Sequence, residues 1–138
     1  MWWIYALLSA LFAGLTAVLA KKGIKNIDSD LATAIRTTVI LGLSWGLVFL
    51  KGAASGVQQF SRQNWAFLVF SGIATGLSWI FYFKALQVGK VSQVAPVDKA
   101  SVAIAIILSV IFLGEQLTWK TVSGVVLITA GTLIIAWK

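Results

Sequence analysis

Long uncharged stretches alternate with short clusters of charge along the 138 residues. A hydrocarbon core of about 30 Å takes roughly 20 helical residues to cross, and the alternation predicts five such helices, at about 2–20, 31–50, 64–86, 92–113 and 119–137. The first, third and fifth reach that length, or nearly so, on uncharged residues. The other two fall short: the uncharged runs 37–50 and 100–114 supply 14 and 15 residues, about 21 to 23 Å of helix. Each must therefore recruit upstream residues, which draws Arg36 into the second span and Asp98 and Lys99 into the fourth. Asp28, Ser29 and Asp30 precede the second span as cap candidates, Pro96 falls in the early part of the fourth, and Thr118 is placed to cap the fifth. Residues 51–64, rich in Gly, Ser and Gln, read as a solvated loop. The opening apolar run has no basic region before it and is as long as a span, so it reads as a membrane helix rather than a secretory leader. The fold class expected is all-α integral membrane.

Within the spans, polar and small residues recur at helical spacing. Tyr5, Ser9, Phe12 and Thr16 share one face of the first helix. On the third, Ser71, Thr75, Ser78 and Tyr82 share a face beside Gly72, Gly76, Trp79 and Phe83, and the fourth aligns Asp98, Ser101, Ala105 and Ser109. Small and hydroxyl residues let membrane helices approach closely and hydrogen-bond across the interface, so helix packing accounts for any one stripe. Three stripes in so small a bundle also fit a water-accessible cavity, with Tyr5, Ser9, Ser71, Thr75, Trp79, Tyr82 and Ser101 as lining candidates. The pairs Gly42 with Gly46 and Gly72 with Gly76 are assigned to packing.

Composition narrows the function. Hydrophobic residues make up 59% of the chain and charged ones 11%, far from the quarter charged of soluble domains, so lipid is the expected solvent. The net charge of +7 comes from eleven Lys and Arg set singly or in small groups between apolar runs, a distribution unlike the basic stripe of a nucleic-acid binder. With neither Cys nor His, disulfides and the usual zinc sites are excluded. No glycine-rich phosphate loop and no pair of intramembrane carboxylates is present, so catalysis, metal and cofactor are not expected. Trp2, Trp3, Trp65, Trp119 and Trp137 lie near helix ends as an aromatic belt.

Five spans put the termini on opposite sides. The side of the N-terminus carries Lys51, Arg62 and Lys120; the other carries Lys21, Lys22, Lys25, Arg36, Lys84, Lys90, Lys99 and Lys138. Because Lys and Arg are retained in the cytoplasm, this favours the N-terminus outside and the C-terminus inside. Setting Arg36, Lys84 and Lys99 aside as functional charges narrows the bias to five against three, a margin that permits dual topology. Ionisable residues inside spans are costly and usually paired or functional, which makes Arg36, Lys84, Asp98 and Lys99 the candidate substrate-binding or coupling groups. Asp98, the only acid expected inside a span, is the leading ion-coupling candidate; its alternative role is to neutralise Lys84 or Arg36 near a helix start. Glu115 is read as a structural clip to the start of the fifth helix.

Ala85 and Leu86, then Val94, Ala95 and Pro96, then the run from Leu113 through Gly114, Glu115, Gln116 and Leu117 to Thr118, then Gly124 and Gly131 follow one another in an order and spacing that resembles the EamA domain of the drug/metabolite transporter superfamily. Residues 82–137 carry most of the likeness, which is greatest to single-domain, five-helix members. The resemblance implies one domain over 1–138, forming one inverted-repeat half of a ten-helix transporter. Two units of opposite orientation, a second copy or an oppositely oriented homologue, would surround a cavity lined by helices one, three and four and take a small-molecule substrate. It also suits a bacterial or archaeal inner membrane. Two departures matter. The related small multidrug-resistance exporters rely on a glutamate in their first helix, where this chain has no acid, so their proton-coupled exchange does not carry over. Where longer members continue apolar after the proline, this chain has Val97, Asp98 and Lys99. An accessory half-subunit of a heteromeric transporter or of a lipid or lipid-linked sugar flippase, and a purely structural assembly protein, are the rival expectations.

Overall fold

The computed structural model describes residues 1–137; Lys138, counted above in the charge bias, lies outside them. Among the described residues there are helices and no strands. The helices are α1 (Trp2–Gly23), α2 (Ser29–Leu50), α3 (Arg62–Val88), α4 (Val91–Asp98), α5 (Ser101–Leu113) and α6 (Trp119–Ala136), with a short 3-10 helix, Ala53–Gln59, between α2 and α3. Five stretches are long and apolar enough to cross a membrane, with α4 and α5 together forming the fourth, Val91–Leu113. The all-α membrane class expected from the sequence is what the chain adopts.

Local chemistry explains the boundaries. The α2 helix starts two residues before the expected 31 because the Asp28 carboxylate accepts from the N–H groups of Asp30 and Leu31, at 3.0 and 2.9 Å. Lys21 and Lys22 lie in the last turn of α1, where a cation favours the helix dipole. Residues 51–64 are partly helical rather than a plain loop. Gly52 there holds φ at 64°, a left-handed backbone that side chains resist. The Thr118 hydroxyl caps α6 by accepting from Thr121 N–H at 3.2 Å.

The fourth span departs from the continuous helix expected over 92–113. Pro96 has no N–H to give the carbonyl one turn back, and beyond it the backbone tightens to i→i−3 bonds. Lys99 N–H donates to Pro96 O and Ala100 N–H to Val97 O, both at 3.0 Å. The helix breaks at Lys99 and Ala100, eight residues into the span, or about 12 Å along it.

The chain's contacts gather into two units, Met1–Gln87 and the part from Val88 onward. Burial in the first is confined to one end. Ala17, Ala20, Ile24, Ser29, Thr33, Phe83 and Leu86 are its buried residues, and they sit where α1 ends, α2 begins and α3 ends. Most large apolar side chains elsewhere are exposed, as a protein solvated by lipid or covered by another chain requires.

Candidate functional site

Polar chemistry in the first unit concentrates at that same end. The Lys21 ammonium donates to the main-chain carbonyls of Leu86 and Gln87, in the last turn of α3. These belong to the final four carbonyls that a helix cannot satisfy internally, and a cation there also favours the dipole. Gln87 reciprocates, its Nε2 donating to Ile27 O at 2.7 Å. The two interactions form a clasp that ties the end of α1 and the α1–α2 connection to α3, which the sequence reading missed. In the sequence Lys21 registers only as a topological charge, because its partners lie on another helix.

Arg36 and Lys84, both singled out from the sequence, come to this end with different partners. Lys84 Nζ lies 3.1 Å from Asp30 Oδ2, each side chain about half exposed, at 51% and 52%. Arg36, seven residues beyond the start of α2 and so about 10 Å along it, pairs with no carboxylate among the described residues. Its guanidinium sits over the Phe83 ring, 4.5 Å from the centroid, and its Nε is buried without a hydrogen-bond partner. Phe83 is itself 1% exposed and stands edge-on to Tyr82 at 5.5 Å, so the ring is held firmly. A cation–π contact offsets about 0.5 to 2 kcal/mol. An arginine deep in a span costs about 2.5 to 3.5 kcal/mol on insertion scales, so the ring alone does not close the balance. Asp30 pairs with Lys84, and the Asp28 carboxylate caps α2.

The second unit contains the other ionisable candidates. Asp98 ends α4 and is half-buried; its Oδ2 lies 3.4 Å from the ammonium of the adjacent, exposed Lys99. Asp98 therefore borders the helix break and Lys99 lies in it, rather than either lying within an unbroken helix. Pro96 is fixed by Thr132 of α6, a buried threonine whose hydroxyl donates to Pro96 O at 3.2 Å. Thr132 went unremarked in the sequence, where one hydroxyl in an apolar run gives no sign of its partner. The Glu115 side chain is exposed, and one N-terminal donor of α6, the Thr121 N–H, goes to the Thr118 hydroxyl.

The stripe residues are not brought together within either unit. Tyr5, Ser9, Ser71, Thr75 and Ser101 are exposed, while Trp79 and Tyr82 are half-buried. Thr75 satisfies its hydroxyl inside its own helix, on Ser71 O at 2.9 Å. At Gly42, Gly46, Gly72 and Gly76 a Cβ would meet nothing of the chain within 4 Å, so the close approach that such glycines permit is not used here.

Five membrane-crossing helices, with charge gathered near their ends and at one break, define a multi-pass membrane protein. The chain belongs to the EamA-like transporter family, which matches residues 1–137, and is thus a membrane transporter. It is 47% identical over 135 residues to an "Uncharacterized transporter in cobO 3'region" of Sinorhizobium sp., covering 98% of this chain and 96% of that protein. It is also 33% identical over 125 residues to human solute carrier family 35 member G1, covering 91% of this chain, and 30% identical over 139 residues to the uncharacterized transporter YvbV of Bacillus subtilis, covering 96% of it. The chain spans only 34% and 44% of those two longer relatives. No solved structure matches it.

Proposed function

We propose that the chain is the protomer of a secondary transporter that moves a small metabolite or organic ion across the inner membrane by alternating access, paired with a second unit of opposite orientation. The observation that carries this reading is the exposure of the polar and small-residue faces. Tyr5 is 76% exposed, and Ser9, Ser71, Thr75 and Ser101 are exposed with it. Such residues find their use in membrane helices through close approach and cross-helix hydrogen bonds, and a second unit would supply both. The longer relatives have length for at least one further unit of this size. Inverted pairing around a midplane site is also the general logic of secondary transporters. In this reading the broken fourth span, with Asp98 at the break, belongs to the path, because discontinuous helices are where such proteins hold ions and charged substrate groups.

Orientation tests it. The chain has no native cysteine, so Ser55→Cys and Val88→Cys, on opposite faces by the five-span order, report topology when intact cells are treated with an impermeant thiol reagent. The expected result is partial labelling of each from outside, the signature of an antiparallel homodimer. Labelling of Ser55→Cys alone, with copurification of an oppositely oriented homologue, fits the heteromeric form of the same proposal. A single orientation in a protein that purifies without any second membrane chain, and without a cross-linkable copy of itself, would overturn it.

A further inference from the structure

Arg36 combines four features found together nowhere else among the described residues. It lies inside a membrane span, carries a fixed charge, has no carboxylate partner, and leaves one donor both buried and unpaired. The charged groups around it are committed elsewhere. Asp30 pairs with Lys84, the Asp28 carboxylate caps α2, and the Lys21 ammonium sits on the α3 carbonyls. Among the described residues Arg36 thus has no ion-pair partner.

The geometry also dictates what compensates it. A guanidinium binds through two surfaces, its planar face and its edge of N–H donors. Phe83 takes the face, which leaves the edge, whose Nε is enclosed by the chain and unpaired. Edge-on donors in a fixed plane match two oxygens of a carboxylate or phosphate, in the bidentate arrangement that gives arginine its selectivity for these groups. A neutral acceptor would satisfy the Nε hydrogen and leave the charge in place; an oxyanion answers both. Phe83 then acts as a positioning residue, because a buried ring pressed on the guanidinium holds its edge in one direction.

We propose that Arg36 is the anchor of an oxyanion site, binding a carboxylate or phosphate edge-on while Phe83 holds the guanidinium flat. The oxyanion belongs either to a solute or to a lipid headgroup. When it belongs to a solute, it names the substrate class of the proposed transporter as an organic anion, and that extension rests on the transporter reading. The binding site itself rests only on α2 and α3.

The chain's two arginines, Arg36 and Arg62, make the test direct. Protein labelled with 15N-arginine gives two Nε–H signals, assigned through Arg62→Lys. In phosphatidylcholine nanodiscs, inorganic phosphate or acetate titrated against chloride at fixed ionic strength is expected to move the Arg36 signal saturably downfield and leave Arg62 in place. Phe83→Leu is expected to weaken the response several-fold without abolishing it. In nanodiscs containing phosphatidylglycerol, an Arg36 signal already shifted and indifferent to added phosphate assigns the oxyanion to the headgroup. A signal that still titrates there assigns it to a solute. An Arg36 signal unmoved by phosphate, acetate and phosphatidylglycerol, or one that moves only in step with Arg62, overturns the proposal. Because the readout is binding, a failure of the paired-transporter reading in the orientation test leaves the site standing.

Discussion

Replacing Lys21 with methionine keeps most of the apolar stem and removes the ammonium that bonds the Leu86 and Gln87 carbonyls. Hydrogen bonds from a charged donor contribute about 1.5 to 3 kcal/mol net, whereas cross-helix hydrogen bonds in a membrane protein average about 0.6 and reach about 1.7 kcal/mol. Lys21 is half-buried, which argues against the top of the first range, and it serves two carbonyls, which argues against the bottom of the second. A loss of about 1 to 2 kcal/mol follows, a five- to thirtyfold change in the folding equilibrium. Lys22→Met is the matched control. Both lysines lie in the last turn of α1, so each substitution removes the same favourable interaction with that helix's dipole, and the difference between them isolates the clasp. The assay is unfolding of purified protein by SDS in mixed micelles, followed by circular dichroism and tryptophan fluorescence to check that the two transitions coincide. A difference between the variants inside the ~0.5 kcal/mol spread of ordinary surface substitutions would refute the reasoning and make the clasp incidental.

Asp28→Ala removes the side-chain cap of α2 and is expected to cost about 1 kcal/mol, with Asp28→Asn close to neutral, in the same SDS titration. Thr132→Val deletes the tie to Pro96, whose carbonyl keeps the Lys99 N–H; a loss of about 0.6 kcal/mol is expected, with Thr132→Ser retaining most of the bond. The half-exposed Asp30–Lys84 pair should yield a coupling of about 0.2 to 1 kcal/mol in a double-mutant cycle, and a larger value would mean that the pair is desolvated in the assembled protein. Asp98→Asn should abolish or uncouple flux in reconstituted vesicles with dimer cross-linking unchanged, and unaltered flux would reduce Asp98 to a charge at a helix end.

The spans were legible because twenty apolar residues in a row have one physical outcome in a bilayer, and uncharged run length registers it. Cap positions such as Asp28 and Thr118 were legible for a similar local reason, since a side-chain oxygen reaches donors only two or three residues away. Arg36 stood out by cost alone, as an ion where ions are expensive. What it touches did not, because Phe83 comes from another helix and nothing in one chain's spacing pairs positions 36 and 83. The same holds for Lys21 with Leu86 and for Thr132 with Pro96: long-range partners are fixed by how helices meet. The break at Lys99 and Ala100 lay between these cases. Pro96 marked the place, but a proline early in a helix is tolerated, and only the i→i−3 bonds beyond it turn tolerance into interruption.

The clasp of Lys21 and Gln87 secures α1 and α3 close to one extremity, where the first unit also keeps its buried residues. A rod fixed near one extremity magnifies rotation. With 22 residues, α1 is about 33 Å long. A tilt of about 10° at the clasp would sweep its distant tip through about 5 Å, while atoms beside the pivot shift by only a small fraction of that. Displacement of that size is enough to admit or shut out a small solute, and the lever needs no bond in the clasp to break.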